Sequence, residues 1–219
     1  MDPEFWHERW TRGEIGFHQQ DFNAHMQKFM ASLGLASGAN VLVPLCGKTR
    51  DMLWLVAQGF RVTGIEINPR AVVDFFAESG LVAEVESRTD SSRYRSGDIE
   101  IWRADFLRLD PSRLPQADAV YDRAALVALP PKMRKAYASQ LKPMIPPGAP
   151  MLLLTLDYPG AEMQGPPFPV SSDEVCELFG DEFEVEQLLS ENCLEREHRF
   201  REKGVTRMTE SVHILRKNS

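Results

Sequence analysis

Short apolar runs alternate with stretches of helix-like apolar spacing along the first half of the chain. The runs Val41–Leu45 and Arg61–Glu66 predict buried strands, and Asp51–Gln58 between them has the spacing of a helix. Asn68 followed by Pro69 is typical of a second helix start, with the asparagine as N-cap. Strands and helices that alternate in this way predict parallel strands joined by right-handed crossovers.

The same alternation continues through the second half. The apolar pattern predicts strands over Ile99–Trp102, Asp118–Tyr121 and Met151–Leu156, and a helix over Pro131–Leu141. A capping box beginning at Ser171 predicts one more helix. These elements indicate an α/β protein with a doubly wound sheet.

The two ends of the chain have their own patterns. Residues 1–36 contain Trp6, Trp10 and Phe17 in a polar stretch and then apolar residues at helical spacing, which predicts a helical N-terminal cover. The last forty or so residues predict three strands, over Phe183–Leu189, Cys193–Phe200 and Thr206–Leu215. We expect the final two to pair as an antiparallel hairpin across Lys203-Gly204.

Composition narrows the class of protein. The 219 residues are enough for one domain, which we expect to span 1–219, and 25 basic against 32 acidic residues give a net charge of −7. That balance argues against a nucleic-acid-binding surface. We find neither a secretory signal nor an apolar run that could span a membrane, and the three cysteines form no disulfide pattern. We therefore expect a cytoplasmic protein, with a monomer as the default.

Candidate ligand-binding residues follow from the topology. In an open doubly wound sheet, ligands bind beyond the carboxyl ends of the strands. The residues at those ends are Leu45–Lys48, Glu66, Ala104–Asp105, Asp122–Arg123 and Asp157–Tyr158.

Glu66 and the turn before it indicate the kind of ligand. A carboxylate at the end of the second strand can accept hydrogen bonds from both hydroxyls of a ribose. The first turn has one glycine, Gly47, so it lacks the GxGxxG pattern of dinucleotide sites, and Leu42 breaks the Walker A pattern. A nucleoside without phosphates fits such a turn, and S-adenosylmethionine is the common ligand of that kind.

The sequence gives little support for a nucleophilic residue or a metal site. Cys46 lies in the first turn, but no base can be assigned to it, so we interpret it as a small packing residue. His18 and His25 come near the site only if the N-terminal segment folds over the sheet. No histidine or acidic residues show metal-ligand spacing, and we predict no metal.

Several motifs together resemble the thiopurine S-methyltransferase family. The two most specific are Pro44-Leu45-Cys46-Gly47-Lys48 and Tyr121-Asp122-Arg123-Ala124-Ala125-Leu126-Val127-Ala128. The others are Phe17-His18-Gln19 behind Trp6 and Trp10, Gly64-Ile65-Glu66-Ile67, Gly165-Pro166-Pro167-Phe168 and Leu178-Phe179-Gly180. They occur in the expected order over nearly the whole chain.

The resemblance implies a class I methyltransferase fold, with a mostly parallel seven-stranded sheet and an antiparallel C-terminal hairpin. It implies S-methylation of aromatic or heterocyclic thiols by S-adenosyl-L-methionine. The implied cofactor-binding residues are Trp10, Leu45, Glu66 and Arg123, with Trp6, Phe17, Ala104 and Asp105 on or beside others. The implied substrate-binding residues are Phe17, Arg123 and Arg199, and Arg196 or Arg201 could replace Arg199 because the motif around it departs from the family.

The predicted chemistry needs no strong general base, because a heteroaromatic thiol is acidic and the methyl group of a sulfonium is already activated. Arg123 would position the acceptor and favour its thiolate; the alternative is an ion pair with a nearby aspartate. We expect Trp6, Trp10 and Phe17 to form a lid that excludes water.

Other functions remain open at this point. A small-molecule O- or N-methyltransferase is the first alternative, and a non-catalytic module that binds S-adenosylmethionine is the second. The bacterial branch of the family is also associated with methylation of selenium and tellurium compounds, which the sequence does not decide.

Overall fold

The computed structural model describes residues 3–16 and 18–219, and in them one nine-stranded sheet carries helices on both faces. The helices are α1 Pro3–Arg12, α2 Ala24–Phe29, α3 Asp51–Ala57, α4 Pro69–Glu78, α5 Pro131–Leu141, α6 Ser172–Phe179 and α7 His198–Glu202. The strands are β1 Asn40–Pro44, β2 Arg61–Glu66, β3 Glu84–Ser87, β4 Ser92–Ser96, β5 Ile99–Arg103, β6 Ala119–Arg123, β7 Pro150–Asp157, β8 Phe183–Asn192 and β9 Thr209–Lys217.

The strand order is β3-β4-β5-β2-β1-β6-β7-β9-β8. The five strands from β5 to β7 are parallel, and two antiparallel strands extend each side. The chain order reverses between β1 and β6, which is the position where doubly wound sheets bind ligands. The expected count of seven strands is therefore wrong by two, because the hairpin of β3 and β4 joins the edge beside β5.

The C-terminal hairpin also differs from the expectation. Antiparallel pairing joins β8 to β9, from Phe183 opposite Lys217 to Asn192 opposite Thr209. The predicted strand Cys193–Phe200 is wrong, since this segment forms turns and the start of α7. The connection between the two strands is thus long enough to reach over the carboxyl edge of the sheet.

Two apolar layers hold the sheet, one on each face. One layer includes Met26 of α2, Met52 of α3 and Phe75 of α4, and the other includes Tyr137 of α5 and Phe179 of α6. All five side chains are almost fully buried. Among the described residues, no helix combines the length and apolarity needed to cross a bilayer.

The N-terminal segment reaches the sheet through α2 and the 3-10 helix Met30–Leu33. Asn23 caps α2, and its backbone N–H donates to the buried carboxylate of Asp51 at 2.8 Å. Tyr121 of β6 donates to the other oxygen of Asp51 at 2.9 Å. This buried carboxylate therefore ties residues before α2 to the central strands.

Candidate functional site

A cavity of about 660 Å³ lies beyond the carboxyl ends of β1, β2, β6 and β7. Its floor contains the strand ends, and residues within 6–16, 18–19 and 197–203 complete its walls. The cavity is large enough for a nucleoside and a second small molecule.

The turn after β1 brings backbone N–H groups to the carboxylate of Glu66. Leu45 has a φ of 47° and Gly47 a φ of 53°, so the chain bends back sharply at the end of the strand. Gly47 donates its N–H to Glu66 Oε2 at 2.8 Å, and Asn68 donates to Oε1 at 2.7 Å. Left-handed backbone at a non-glycine residue such as Leu45 is costly and concentrates at functional sites.

Glu66 is buried at the cavity wall, and burial raises its pKa to about 6 although backbone hydrogen bonds from Asn68, Gly47 and Ile67 act in the opposite direction. Each carboxylate oxygen accepts one of these short backbone hydrogen bonds and has a second lone pair. An ionised Glu66 can therefore still accept from the two hydroxyls of a ribose. The structure thus fits the kind of ligand that the sequence predicts here.

Cys46 packs in the same turn and has no features of a nucleophile. Burial, and next the charge of Glu66, raise the pKa of its thiol well above the usual value. A Cβ on Gly64 would lie only 2.8 Å from Cys46 Sγ, so glycine at this position lets β2 pass under the thiol. The interpretation of Cys46 as a packing residue agrees with this geometry.

A second sharp turn follows β6 and carries Arg123 into the cavity wall. Ala124 has a φ of 68°. The buried carboxylate of Asp122 stabilises the bend: it accepts from the N–H groups of Ala125 and Leu126 at 3.2 Å and from Tyr137 Oη at 2.7 Å. Burial raises the pKa of Asp122 to about 6.

The N-terminal side of the cavity comes from α1 and the segment after it. Trp6, Trp10 and His18 line the cavity, and Trp10 is almost fully buried. Asn68 donates to His7 Nδ1 at 3.0 Å, and Arg70 donates to the backbone oxygen of Trp10 at 3.3 Å. These bonds hold α1 against the start of α4.

The C-terminal side comes from α7. Arg199 lines the cavity, and its Nη2 donates to the backbone oxygen of Gly16 at 2.6 Å. A Cβ on Gly16 would lie 2.2 Å from Arg199 Nη1, so a larger residue at this position would displace the guanidinium. Arg196 instead pairs with Glu191, and Arg201 donates to His198. Of the three arginines, Arg199 is therefore the one at the cavity.

A proline-rich loop between β7 and α6 forms the far wall, where Pro166 and Pro167 line the cavity. The backbone oxygen of Pro167 accepts from Tyr158 Oη at 2.7 Å, and Phe168 donates its N–H to the backbone oxygen of Val127 at 2.6 Å. Hydrogen bonds therefore hold the loop to the segments that follow β7 and β6.

Ala104 and Asp105 lie in an adjoining pocket of about 500 Å³, which shares Ile67 with the larger cavity. Ala104 donates its N–H to the backbone oxygen of Glu66 at 2.9 Å, so the two strand ends are adjacent. Phe17, predicted for both cofactor and substrate, lies outside the described residues.

The predicted residues therefore converge in two groups. The large cavity collects Trp6, Trp10, Leu45, Glu66, Arg123 and Arg199, and the adjoining pocket collects Ala104 and Asp105. The predicted site residues include neither His18 nor the two prolines of the far wall. His18 was expected near the site only if the N-terminal segment folds over the sheet, and its place in the cavity wall meets that condition. The motifs Phe17-His18-Gln19 and Gly165-Pro166-Pro167-Phe168 were the signals for these residues.

One polar cluster could not be read from the sequence, because its members are far apart in the chain. His25, Glu191 and Glu210 bring their ligand atoms within 4.8 Å of one another. The guanidinium of Arg196 already lies 2.6 Å from Glu191 and 3.6 Å from Glu210. Because the guanidinium of Arg196 supplies the positive charge, we interpret the cluster as an ion-pair network that joins α2 to β8 and β9.

Comparison with known proteins gives consistent results. The family model for thiopurine S-methyltransferase matches residues 1–218. A thiopurine S-methyltransferase of Pseudomonas fluorescens is 43% identical over 215 residues, which cover 98% of this chain and 99% of the relative. One of Xanthomonas euvesicatoria pv. vesicatoria is 46% identical, with the same coverage of both chains.

Solved structures agree at the level of fold. A 1,6-didemethyltoxoflavin N1-methyltransferase of Burkholderia thailandensis, solved with its substrate and S-adenosylhomocysteine, matches 99% of this chain and 87% of its own. Its TM-score is 0.64 at 17% identity. An N-methyltransferase of Bradyrhizobium japonicum in complex with S-adenosylhomocysteine has a TM-score of 0.60 at 15% identity and matches 89% of this chain and 86% of its own.

Proposed function

Since this chain belongs to the thiopurine S-methyltransferase family, we propose that it transfers a methyl group from S-adenosyl-L-methionine to the sulfur of aromatic and heterocyclic thiols. Its fold is that of class I S-adenosylmethionine-dependent methyltransferases. We extend the proposal to selenium and tellurium compounds, whose polarisable atoms are also soft nucleophiles.

One observation carries the proposal: the buried Glu66 carboxylate, held by Gly47 and Asn68, at the wall of a 660 Å³ cavity. We assign the ribose of the methyl donor to Glu66, and its remaining parts to Leu45, Trp6 and Trp10. Ala104 and Asp105 in the adjoining pocket would bind its base.

The acceptor belongs at the other end of the cavity. β2 and β7 are separated by β1 and β6, so their ends lie about 14 Å apart at the usual strand spacing. Arg123, Arg199, Pro166 and Pro167 lie toward β6 and β7. We assign the thiol to this half, with Phe17, which was predicted beside it.

The residues of the chain hold the two reactants in place and exclude water from the site. When bound, S-adenosyl-L-methionine supplies an activated methyl group that the acceptor sulfur attacks in line. Arg123 holds the thiolate beside that group, and holding both reactants in place contributes up to about 7–11 kcal/mol. Trp6 and Trp10 exclude water, which favours a step in which opposite charges combine.

The proposal includes the state in which the chain works. We infer that it acts as a single domain and a monomer in the cytoplasm, on a small-molecule acceptor and without nucleic acid. The acidic net charge of −7 supports the last part.

A thiol-panel assay tests the function. The protein is incubated with S-adenosyl-L-methionine and aryl thiols, phenols or amines, and S-adenosylhomocysteine is measured. Turnover only with phenols or amines would favour an O- or N-methyltransferase, and binding without any turnover would favour a binding module.

Arg123→Lys tests the acceptor side of the site. The planar fork of the guanidinium is lost, so we expect kcat/KM for an aryl thiol to fall by about 10-fold or more with the melting temperature unchanged. The matched control is Arg95→Lys, at an exposed residue of β4 away from the cavity. Full activity of Arg123→Lys would remove Arg123 from the mechanism.

A further inference from the structure

His18 is a half-buried histidine in the segment between α1 and α2, and it lines the same cavity as Arg123. The backbone N–H of His18 donates to the backbone oxygen of Ile15 at 2.8 Å, which closes a turn and fixes where the side chain starts. The hydrogen bonds found among the described residues leave its ring nitrogens without a partner.

The surroundings of the imidazole are mainly cationic. Lys48 of the turn after β1, Arg50 before α3 and Arg123 at the end of β6 act on it, and Glu78 of α4 is the one acidic group among these neighbours. Glu78 is itself paired with Lys48 at 2.6 Å. Burial first, and then Lys48, lower the pKa of His18 below its usual value.

We propose that His18 is a catalytic residue of the acceptor site, where its neutral ring accepts the proton of thiols that reach the cavity un-ionised. The proposal rests on the methyl-transfer function proposed above and extends it to less acidic acceptors. His18 is thereby distinguished from Arg123, which can stabilise a thiolate but cannot take up a proton.

The step balances in atoms and electrons. The S–H bond of the acceptor breaks and the proton binds a ring nitrogen of His18. The electron pair left on the acceptor sulfur forms the bond to the transferred methyl group, and the pair of the broken methyl–sulfonium bond remains on the donor sulfur. The products are a neutral thioether and a neutral donor product, and the imidazolium then loses its proton to water.

The cations do not prevent this transfer. Lys48 and Arg123 disfavour the imidazolium, but they favour the thiolate that forms at the same moment. The two effects oppose each other, so proton transfer between sulfur and nitrogen stays close to balanced. A base that is neutral at working pH is also the form needed to accept a proton.

Two acceptors separate this role from a structural one. At about pH 6, 4-nitrothiophenol is ionised, whereas phenylmethanethiol, whose sulfur is bound to an alkyl carbon as in cysteine, is almost entirely protonated. For His18→Gln we expect kcat/KM to fall by about 100-fold with phenylmethanethiol, the usual size of a general-base effect, and by less than about 3-fold with the nitro compound. Added imidazole should restore the activity of His18→Ala with phenylmethanethiol. The donor is kept saturating so that its binding does not limit the rate.

His213→Gln is the matched control, because neither His213 nor its partner Ser172 lines the cavity, so this change should affect neither acceptor. Equal losses with both acceptors in His18→Gln, or no loss with either, would overturn the proposal. If the unaltered protein methylates neither thiol, the proposed function fails instead. The melting temperature and donor affinity of each variant identify any loss that comes from folding.

Discussion

At the scale of single residues, Glu66 is a buried carboxylate whose two oxygens can each accept a further hydrogen bond. Two backbone N–H groups hold its oxygens in place, and burial raises its pKa to about 6. Burial of an ionised carboxylate costs free energy, and hydrogen bonds from the hydroxyl groups of a ligand would offset part of that cost. Donor affinity should therefore depend on this one side chain and on its ionisation.

Glu66→Gln should weaken binding of S-adenosyl-L-methionine by about 10- to 100-fold, because hydrogen bonds to a charged group contribute about 1.5–3 kcal/mol. In the unaltered protein, affinity should also fall below about pH 6, as the carboxylate takes up a proton. Titration calorimetry at several pH values measures both effects. Glu86→Gln, on the exposed strand β3, is the control.

Sequence reasoning found the residues that directly follow strands. Leu45, Glu66 and Arg123 could be predicted to lie close together, because the carboxyl ends of parallel strands meet at one edge of the sheet. The contact between Arg199 and Gly16 was not, since it joins residues 183 positions apart and depends on a missing side chain at Gly16. The positions of residues at the cavity could thus be predicted where topology fixes them, and not where distant segments meet.

At the scale of elements, one buried arginine holds the loop that forms the far wall of the cavity. Arg134 of α5 is 1% exposed and donates to the backbone oxygens of Leu129 and Pro169 at 3.0 and 2.9 Å. It also pairs with Glu174 of α6 at 2.5 Å. Pro169 lies beside the prolines that line the cavity, so Arg134 is a positioning residue for that wall.

Arg134→Lys retains the charge but cannot make all three contacts, so buried acceptors lose their donors. We expect the free energy of unfolding to fall by about 1–3 kcal/mol. The acceptor KM should rise while donor affinity stays constant, because the wall that loosens is on the acceptor side. Urea unfolding and steady-state kinetics measure the two effects.

Arg93→Lys provides the comparison, since Arg93 also pairs with a glutamate, Glu100, but on strands β4 and β5 away from the cavity wall. It should lower stability without changing the acceptor KM. A rise in acceptor KM for both variants would mean that general loosening, rather than the wall, sets acceptor binding.

Elements with a buried apolar pattern were predictable, and others were not. The strands β1, β2, β5, β6 and β7 are mostly buried, and their predicted bounds differ from the structure by no more than two residues. β3 is exposed along its whole length, so no hydrophobic pattern marks it. The segment Cys193–Phe200 has scattered apolar residues that suit a strand, but turns and α7 are what bury Cys193 and Phe200.

At the scale of the whole molecule, buried titratable groups act in opposite directions on stability. The pKa values of Glu66 and Asp122 are raised to about 6, so below that pH the folded protein takes up protons that the unfolded chain does not. Burial lowers the pKa of His213 to about 4, so the unfolded chain takes up a proton there first. Acidification therefore stabilises the fold through the carboxyls and destabilises it through the histidine.

Between about pH 7 and pH 5 the two carboxyls should add roughly 1 kcal/mol each to the free energy of unfolding, and His213 should remove roughly 2 kcal/mol. We expect near-constant stability for the ligand-free protein over this range. His213→Gln should become more stable on acidification, and Asp122→Asn less stable. Urea unfolding at each pH measures these slopes; a flat profile in His213→Gln would contradict the assignment.

The contact between Gly16 and Arg199 has a consequence for how the protein is made. A ribosome synthesises the parallel strands up to β7 well before it reaches α7. The nascent chain at that stage has the sheet edge and the aromatic residues of α1, but it still lacks the guanidinium that closes over Gly16. The wall of the cavity that α7 supplies is therefore added only in about the last tenth of translation.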